Sequence, residues 1–123
     1  MKTVFKVLKR IDGKLQSCTM GVNNGGIIYK KTKLNHPKIK RSLLLCFSTF
    51  NDAKWFVEKN GLSNIEIWES KAGKEKPLPK FRLYTYFSID RVKSLWDGTD
   101  EGMTRWPPGT IGVTSVKLVK KVY

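Results

Sequence analysis

The sequence predicts an α+β fold, a largely antiparallel sheet with two short helices packed on one face. Three observations lead to this prediction. First, short segments rich in β-forming residues are separated by turn signals. Second, two segments have the apolar periodicity and the capping residues of helices. Third, the predicted strands and helices alternate irregularly along the chain. The 123 residues are expected to form one domain, 1–123, that buries a core without disulfides or a metal.

The N-terminal elements are predicted to be strands joined by tight turns. Residues 3–20 predict a hairpin, because β-forming residues flank Asp12-Gly13, a strong two-residue turn signal. The sequence NNGG at 23–26 predicts a second turn, followed by a short strand at 27–31. Residues 30–41 contain six basic residues, one His and one Pro but no acid, which favours a loop or an irregular sheet edge.

A buried strand followed by a capped helix is predicted next. The apolar run SLLLCF at 42–47 is typical of a strand that is buried on both faces. Thr49 is the predicted N-cap, with Asp52 three residues on as the acidic half of a capping box, and Asn60-Gly61 ends the helix. The apolar face of this helix consists of Ala53, Phe56 and Val57.

The second half of the chain continues the mixed pattern. Residues 64–70, NIEIWES, alternate, so that Ile65 and Ile67 face one way while Glu66 and Trp68 face the other. A long loop is predicted for KAGKEKPLPKFR at 71–82, and an extended aromatic segment follows at 81–87.

The C-terminal elements are predicted to be a short helix and a strand. The helix covers 89–96, with Ser88 as its cap and Asp97-Gly98 as its end. Residues 110–122 predict one long final strand, in which Val116 and Leu118 lie opposite Lys117 and Val119.

The strongest functional signal is charge. Twenty-four Lys and Arg against ten Asp and Glu give a formal net charge of +14. Such a field attracts nucleic acid, nucleotides, anionic membranes or acidic proteins, although solubility alone is the simpler interpretation. The N-terminus has charges every few residues and the longest apolar run, at 43–47, is short, so neither a signal peptide nor a membrane partner is expected. Cys46 is predicted to be a buried apolar residue, and nothing requires an oxidising compartment, which favours the cytoplasm.

The residue types needed for catalysis are sparse, and we therefore expect no enzyme, no metal site and no cofactor. His36 stands in a lysine-rich loop, and two cysteines with one histidine do not make a four-ligand zinc site. The acidic cluster of Asp97, Asp100 and Glu101 is interpreted as a solvated turn after a helix. The alternative is a carboxylate pair that binds a metal for phosphodiester cleavage.

Cationic side chains next to aromatic rings are the best candidate for a binding site. Bases stack on aromatic rings while Lys and Arg neutralise the attached phosphates. The stiff Arg105-Trp106-Pro107-Pro108 segment makes Trp106 the best candidate for an exposed stacking ring. The predicted ligand-binding residues are Lys74, Lys76, Lys80, Arg82, Tyr84, Arg105 and Trp106.

From about residue 43, the chain resembles a family of small accessory proteins of bacteriophages and related mobile elements. The resemblance lies in FNDAKWFVEKNG, EIWES, the basic loop with PLP, a helix ending in Trp96, and PPGTIGVTSVKLVKKV. It covers about two-thirds of the chain and supplies no catalytic residues. It implies a phage protein in the host cytoplasm that acts on host defence, as sponges of nucleotide signals do, often as homo-oligomers.

Three functional hypotheses follow. The first is a non-enzymatic protein that sequesters a phosphorylated, nucleotide-type signal of host immunity. The second is an accessory protein that binds DNA, RNA or an acidic host protein through its basic loops, although no known nucleic-acid-binding motif is present. The third is a metal-dependent phosphodiesterase that uses the acidic cluster.

Overall fold

The structure, a computed structural model, describes residues 1–18, 25–83, 89–99, 102 and 104–123. Within these residues the chain forms nine strands and two helices. In chain order they are β1 (Lys2–Ile11), β2 (Lys14–Ser17), β3 (Ile28–Tyr29), β4 (Leu34–Asn35), β5 (Leu44–Phe47), α1 (Phe50–Lys59), β6 (Ile65–Ala72), β7 (Glu75–Lys76), α2 (Ile89–Asp97), β8 (Thr110–Val113) and β9 (Val116–Lys121).

The predicted α+β class is confirmed, and β1 is the organising strand of the sheet. One edge of β1 pairs antiparallel with β6 from Lys2↔Ala72 to Lys9↔Ile65. The other edge pairs with β5 near Phe5 and with β2 from Leu8 onward. Asp12 and Gly13 at the β1–β2 turn have φ of +50° and +76°, which confirms the predicted hairpin, because its turn requires left-handed residues.

The sheet closes on itself through two long chain segments that pair with each other, β6–β7 and β8–β9. Strand β7 continues β6 along the chain, and β9 continues β8, so that β6 pairs with β9 and β7 pairs with β8. The Gly73 amide donates to the Ser115 carbonyl at 2.9 Å and the Thr114 amide donates to the Lys74 carbonyl at 2.9 Å, which joins the two ladders. Since β8 also pairs with β5, and β5 with β1, the strands enclose an interior.

Apolar side chains fill this interior and a second layer outside it. Cys46, as predicted, is fully buried in the interior, in one cluster with Val4, Leu8 and Val113. The faces of β1, β5 and β6 that point away from this interior pack on α1. Ala53 and Val57 are buried there, which removes the apolar face of α1 from water. The Thr49 hydroxyl accepts from the Asp52 amide at 3.1 Å, which confirms the predicted N-cap.

Helix α2 forms a third cluster with chain segments outside the strands. Val92 and Leu95 are buried against Ile39 and Leu83. Gly98, with φ of +80°, ends the helix as predicted. The helix thereby holds the basic segment around Ile39 in place.

Two sequence predictions are wrong. The single final strand is two strands, because the chain changes partners at Thr114 and Ser115, from β5 and β7 to β4 and β6. The loop predicted from residue 71 is partly strand, since Lys71–Ala72 belong to β6 and Glu75–Lys76 form β7. In both segments, backbone pairing in the curled sheet outweighs local composition.

Several predictions lie outside the described residues. They concern the start of the turn at 23–26, the aromatic segment after residue 83, and Ser88 as a helix cap. The same holds for Tyr84 in the predicted binding site and for Asp100 and Glu101 in the acidic cluster.

Candidate functional site

A cleft opens where the three apolar clusters meet, and we call it the central cleft. Leu44 and Tyr29 of the interior, Phe47 beside α1, and Ile39 and Trp96 beside α2 all line it. Its cavity volume is about 80 Å³. Pockets that bury a whole drug-sized ligand have roughly 300–1,000 Å³, so the central cleft has room for one compact chemical group only.

Lys6 brings a cation to the inner wall of this cleft. It lies on β1 between Val4 and Leu8, at the strand positions that face the interior, and it is only 6% exposed. Its ammonium donates to the Leu45 carbonyl at 2.5 Å and stands 5.2 Å from the centroid of the Tyr29 ring. Among the described residues Lys6 forms no ion pair with a carboxylate, which is unusual because buried charges are normally paired.

Tyr29 places a hydroxyl beside this ammonium. The side chain is 4% exposed, and its oxygen makes no hydrogen bond of normal geometry with a described residue, although Lys6 and Ser17 lie close to it. The Ser17 hydroxyl already accepts from the Ile27 amide at 2.9 Å. A buried hydroxyl without a partner costs about 1–3 kcal/mol, so its presence calls for an explanation.

The protonation states around Lys6 leave its charge unbalanced. Burial acts to lower the pKa of Lys6, but Tyr29, Cys46 and Cys18, which become anionic when they lose a proton, raise that pKa above its ordinary value. Burial raises the pKa of Tyr29 and of Cys18, and it raises the pKa of Cys46 to about 11. The raised pKa values of Tyr29, Cys46 and Cys18 keep these groups neutral at neutral pH, so none of them is a counter-ion to Lys6.

Arg82 and two indoles form the outer part of the cleft. Arg82 Nε donates to the Arg105 carbonyl at 3.3 Å, which holds the guanidinium against the 104–107 segment. The rings of Trp96 and Trp106 are 6.4 Å apart at an angle of 36°. Trp106 Nε1 donates to the Pro79 carbonyl at 2.7 Å, whereas the buried Trp96 Nε1 has no partner among the described residues. The cleft therefore combines ring surfaces, two cations and unused donors.

A second depression, which we call the cationic depression, adjoins the central cleft. The two share Pro37, Ile39, Ser42 and Leu43 as a common wall. Lys40, Arg41 and Lys76 contribute three cations to the depression, and no Asp or Glu of the described residues lines either cavity. Arg41 also contacts Asp97 at 3.6 Å across solvent-exposed side chains. The two cavities together present five cations around one wall.

The structure places the predicted site residues in different locations. Arg82 and Trp106 line the central cleft, and Lys76 lines the cationic depression. Lys74, Lys80 and Arg105 are exposed and line neither cavity, although Lys80 stands 5.5 Å from the Phe81 ring centroid. The prediction of an exposed Trp106 ring is wrong, because Trp96 and the Pro79 carbonyl cover it partly.

Sequence reasoning missed the inner wall of the cleft. Lys6 is a lysine at a strand position whose neighbours two residues away, Val4 and Leu8, are core residues. That alternation was a readable signal, because a charged residue on the apolar face of a strand is rare without a partner or a role. Tyr29 and Trp96 gave no such signal, since aromatic residues are common in cores.

Metal chemistry finds no support in the described part of the chain. There, no group of three or more His, Cys, Asp or Glu side chains is placed to hold a metal ion. Asp97, the last residue of α2, is exposed and contacts Arg41, and the interpretation of the whole acidic cluster stays a prediction. None of the helices described is both long and apolar enough to cross a membrane.

Comparison of the chain with protein-family models, with curated proteins and with solved structures gave no significant match.

Proposed function

We propose that the protein binds a small phosphorylated ligand of nucleotide type, and that it holds this ligand without chemical change. In this proposal the central cleft binds one compact group of the ligand. The cationic depression binds the negatively charged part of the ligand that extends past the shared wall. The biological role we propose is that of a phage protein that sequesters a nucleotide signal of host defence, in line with the resemblance described above.

The observation that supports this function best is the charge balance of the two cavities. Among the residues that the structure describes, five cations and no carboxylate line the two cavities, and Asp97 contacts one of these cations, Arg41, from outside them. Side chains of one sign gathered at low-dielectric walls raise the local concentration of ligands of the opposite sign. Because Arg82 lies beside two indole rings in the same cleft, the ligand that fits carries both negative charge and a flat, polarisable group.

Calorimetric titration with adenosine triphosphate, a cyclic dinucleotide and a 20-nucleotide single strand tests the proposal. We expect a saturable one-site isotherm with a nucleotide, and only a modest loss of affinity between 50 and 200 mM salt. A protein that binds nucleic acid through many phosphate contacts loses roughly 10³–10⁵-fold over that range. Binding of the single strand alone, with that steep salt dependence, would replace our proposal with the nucleic-acid-binding hypothesis.

A matched pair of double variants tests the location of the site. We expect Lys40→Ala with Lys76→Ala to lower nucleotide affinity by about tenfold or more, as loss of charge-assisted contacts does. The control is Lys14→Ala with Lys59→Ala, which removes the same charge from exposed positions that line neither cavity. An equal loss of nucleotide affinity in both variants would show that the overall positive charge of the protein, and not these two cavities, is responsible for binding.

Recovery of the ligand tests the non-enzymatic part of the proposal. After incubation and heat denaturation, mass spectrometry of the released ligand is expected to show the intact nucleotide. Cleaved product that accumulates with time would favour the phosphodiesterase hypothesis instead.

A further inference from the structure

The inner wall of the central cleft contains hydrogen-bond donors for which the described residues provide no acceptor of normal geometry. An ammonium has three N–H donors, and Lys6 spends one of them on the Leu45 carbonyl. The Tyr29 hydroxyl beside it has no hydrogen bond of normal geometry to a described residue. Both side chains are more than nine-tenths buried and both line the cleft. Such unused buried donors are rare in native proteins, and a missing ligand is one reason for them.

The neighbouring carboxylate does not explain the Lys6 cation. Glu66 lies on the same face of the sheet, because Lys6 is paired with Trp68, and Glu66 is two residues before Trp68. Its carboxylate, however, accepts from Arg10 and from Trp68 Nε1, the latter at 3.0 Å. Glu66 is thus engaged elsewhere, and the charge on Lys6 stays available to a group that enters the cleft.

We propose that Lys6 and Tyr29 form an oxyanion subsite at the inner end of the central cleft, which binds the phosphoryl group of the ligand. A phosphoryl group has three strong acceptor oxygens, and the two remaining N–H donors of Lys6 and the O–H donor of Tyr29 match that number. The cavity volume of about 80 Å³ suits one such group. This inference deepens the proposed function and depends on it only for the identity of the rest of the ligand.

Trp96 extends the same argument to the outer part of the cleft. Its buried Nε1 donor also lacks a partner among the described residues. An acceptor atom of a ligand that lies over the Trp96 ring edge satisfies this donor. A ligand in the central cleft therefore explains why Lys6, Tyr29 and Trp96 all have donors without an acceptor among the described residues.

The test is a thermal-unfolding titration with inorganic phosphate as the probe, at ionic strength held constant with chloride. We expect the Tm of the unaltered protein to rise by several degrees with saturation, because a ligand of the native state alone stabilises it. Lys6→Met and Tyr29→Phe keep the size and shape of the side chains but remove the donors. Both variants are expected to keep the Tm of the free protein within a few degrees, in either direction, and to lose the phosphate-induced rise.

Matched controls and nucleotide titrations make the result specific. Lys14→Met and Tyr123→Phe remove the same groups from exposed positions and are expected to keep the full phosphate response. A saturable rise that Tyr29→Phe and Lys6→Met retain, or no saturable rise in the unaltered protein, would overturn the subsite. If Lys6→Met does not fold, Tyr29→Phe alone decides, because it removes a single oxygen atom that makes no hydrogen bond of normal geometry with a described residue.

Failure of the subsite and failure of the proposed function give different results. Nucleotide binding that both variants retain leaves the function standing and overturns the subsite. A phosphate response that the variants lose, with no binding of nucleotides, supports the subsite and overturns the nucleotide proposal.

Discussion

Two buried polar groups on neighbouring strands have opposite surroundings. Glu66 on β6 accepts hydrogen bonds from Arg10 and from the Trp68 indole, so that its charge is balanced and both its oxygens have partners. Lys6 on β1 has one carbonyl partner and no described carboxylate. Both side chains lie on the same face of the sheet, because Lys6 pairs with Trp68 and Glu66 is two residues away from Trp68 on β6.

This difference in hydrogen bonding and charge balance indicates which of the two side chains stabilises the fold. A balanced, fully hydrogen-bonded group stabilises the native state, whereas a buried cation without a counter-ion costs free energy that something else must offset. We therefore assign Glu66 to the architecture and Lys6 to binding. The predictions below test that contrast, starting with the largest effect.

Glu66→Gln is expected to lower the free energy of unfolding by about 2–3 kcal/mol, because it removes a charged acceptor from two donors. Chemical denaturation measures this loss. The control is Glu58→Gln, which weakens only the exposed Lys54–Glu58 pair at 3.8 Å and is expected to cost less than about 0.5 kcal/mol. A loss at Glu66 no larger than at Glu58 would contradict the structural role.

The same carboxylate predicts a pH dependence of stability. The hydrogen bond from Arg10 lowers the pKa of Glu66 below its ordinary value of 4.5, with further help from the Trp68 indole. Its contribution is fully present above pH 4.5 and is lost as the pH falls through the lowered value in the folded state. Denaturant titrations from pH 7 to pH 2 should show this loss in the unaltered protein and not in Glu66→Gln; parallel curves would contradict the assignment.

Lys6→Met is expected to change the free energy of unfolding of the unliganded protein by no more than about 1 kcal/mol, in either direction. Removal of the buried charge is favourable, and loss of the bond to the Leu45 carbonyl opposes it. Urea unfolding without phosphate measures the change. A loss as large as that of Glu66→Gln would make Lys6 a structural residue and remove the contrast.

Thiol labelling gives the smallest and most local test. Cys46 is fully buried, and burial raises its pKa to about 11, so iodoacetamide at pH 8 is expected to leave it unmodified in the folded protein. Cys18 lines the central cleft and is half-buried, so it reacts slowly. Inorganic phosphate should slow Cys18 further while leaving Cys46 unmodified; rapid labelling of Cys46 would show that the interior opens readily.

Local signals were sufficient for the elements whose ends are marked by side-chain chemistry. Asp12-Gly13 and Thr49 with Asp52 each form the turn or cap that their residue types favour, because the contacts involved span only a few residues. The change of partners at Thr114 depends on strands from three other parts of the chain, which no local pattern encodes. The fold class was therefore predictable, whereas the closure of the sheet was not.

The candidate site shows the same division. Arg82 and Trp106 were found because cations beside rings are recognisable in sequence, while Lys74 and Lys80, chosen by the same rule, line neither cavity. Lys6 and Tyr29 are 23 positions apart in sequence and meet only because β2 and β3 bring Tyr29 across the interior. Their proximity is a property of topology, and composition does not contain it.

The central cleft and the cationic depression share one wall, which consists of Pro37, Ile39, Ser42 and Leu43. Ile39 also packs on Val92 and Leu95, so the position of this partition is tied to α2. An occupant that displaces the partition from one side alters the room on the other, and by thermodynamic linkage the effect is equal in the reverse direction.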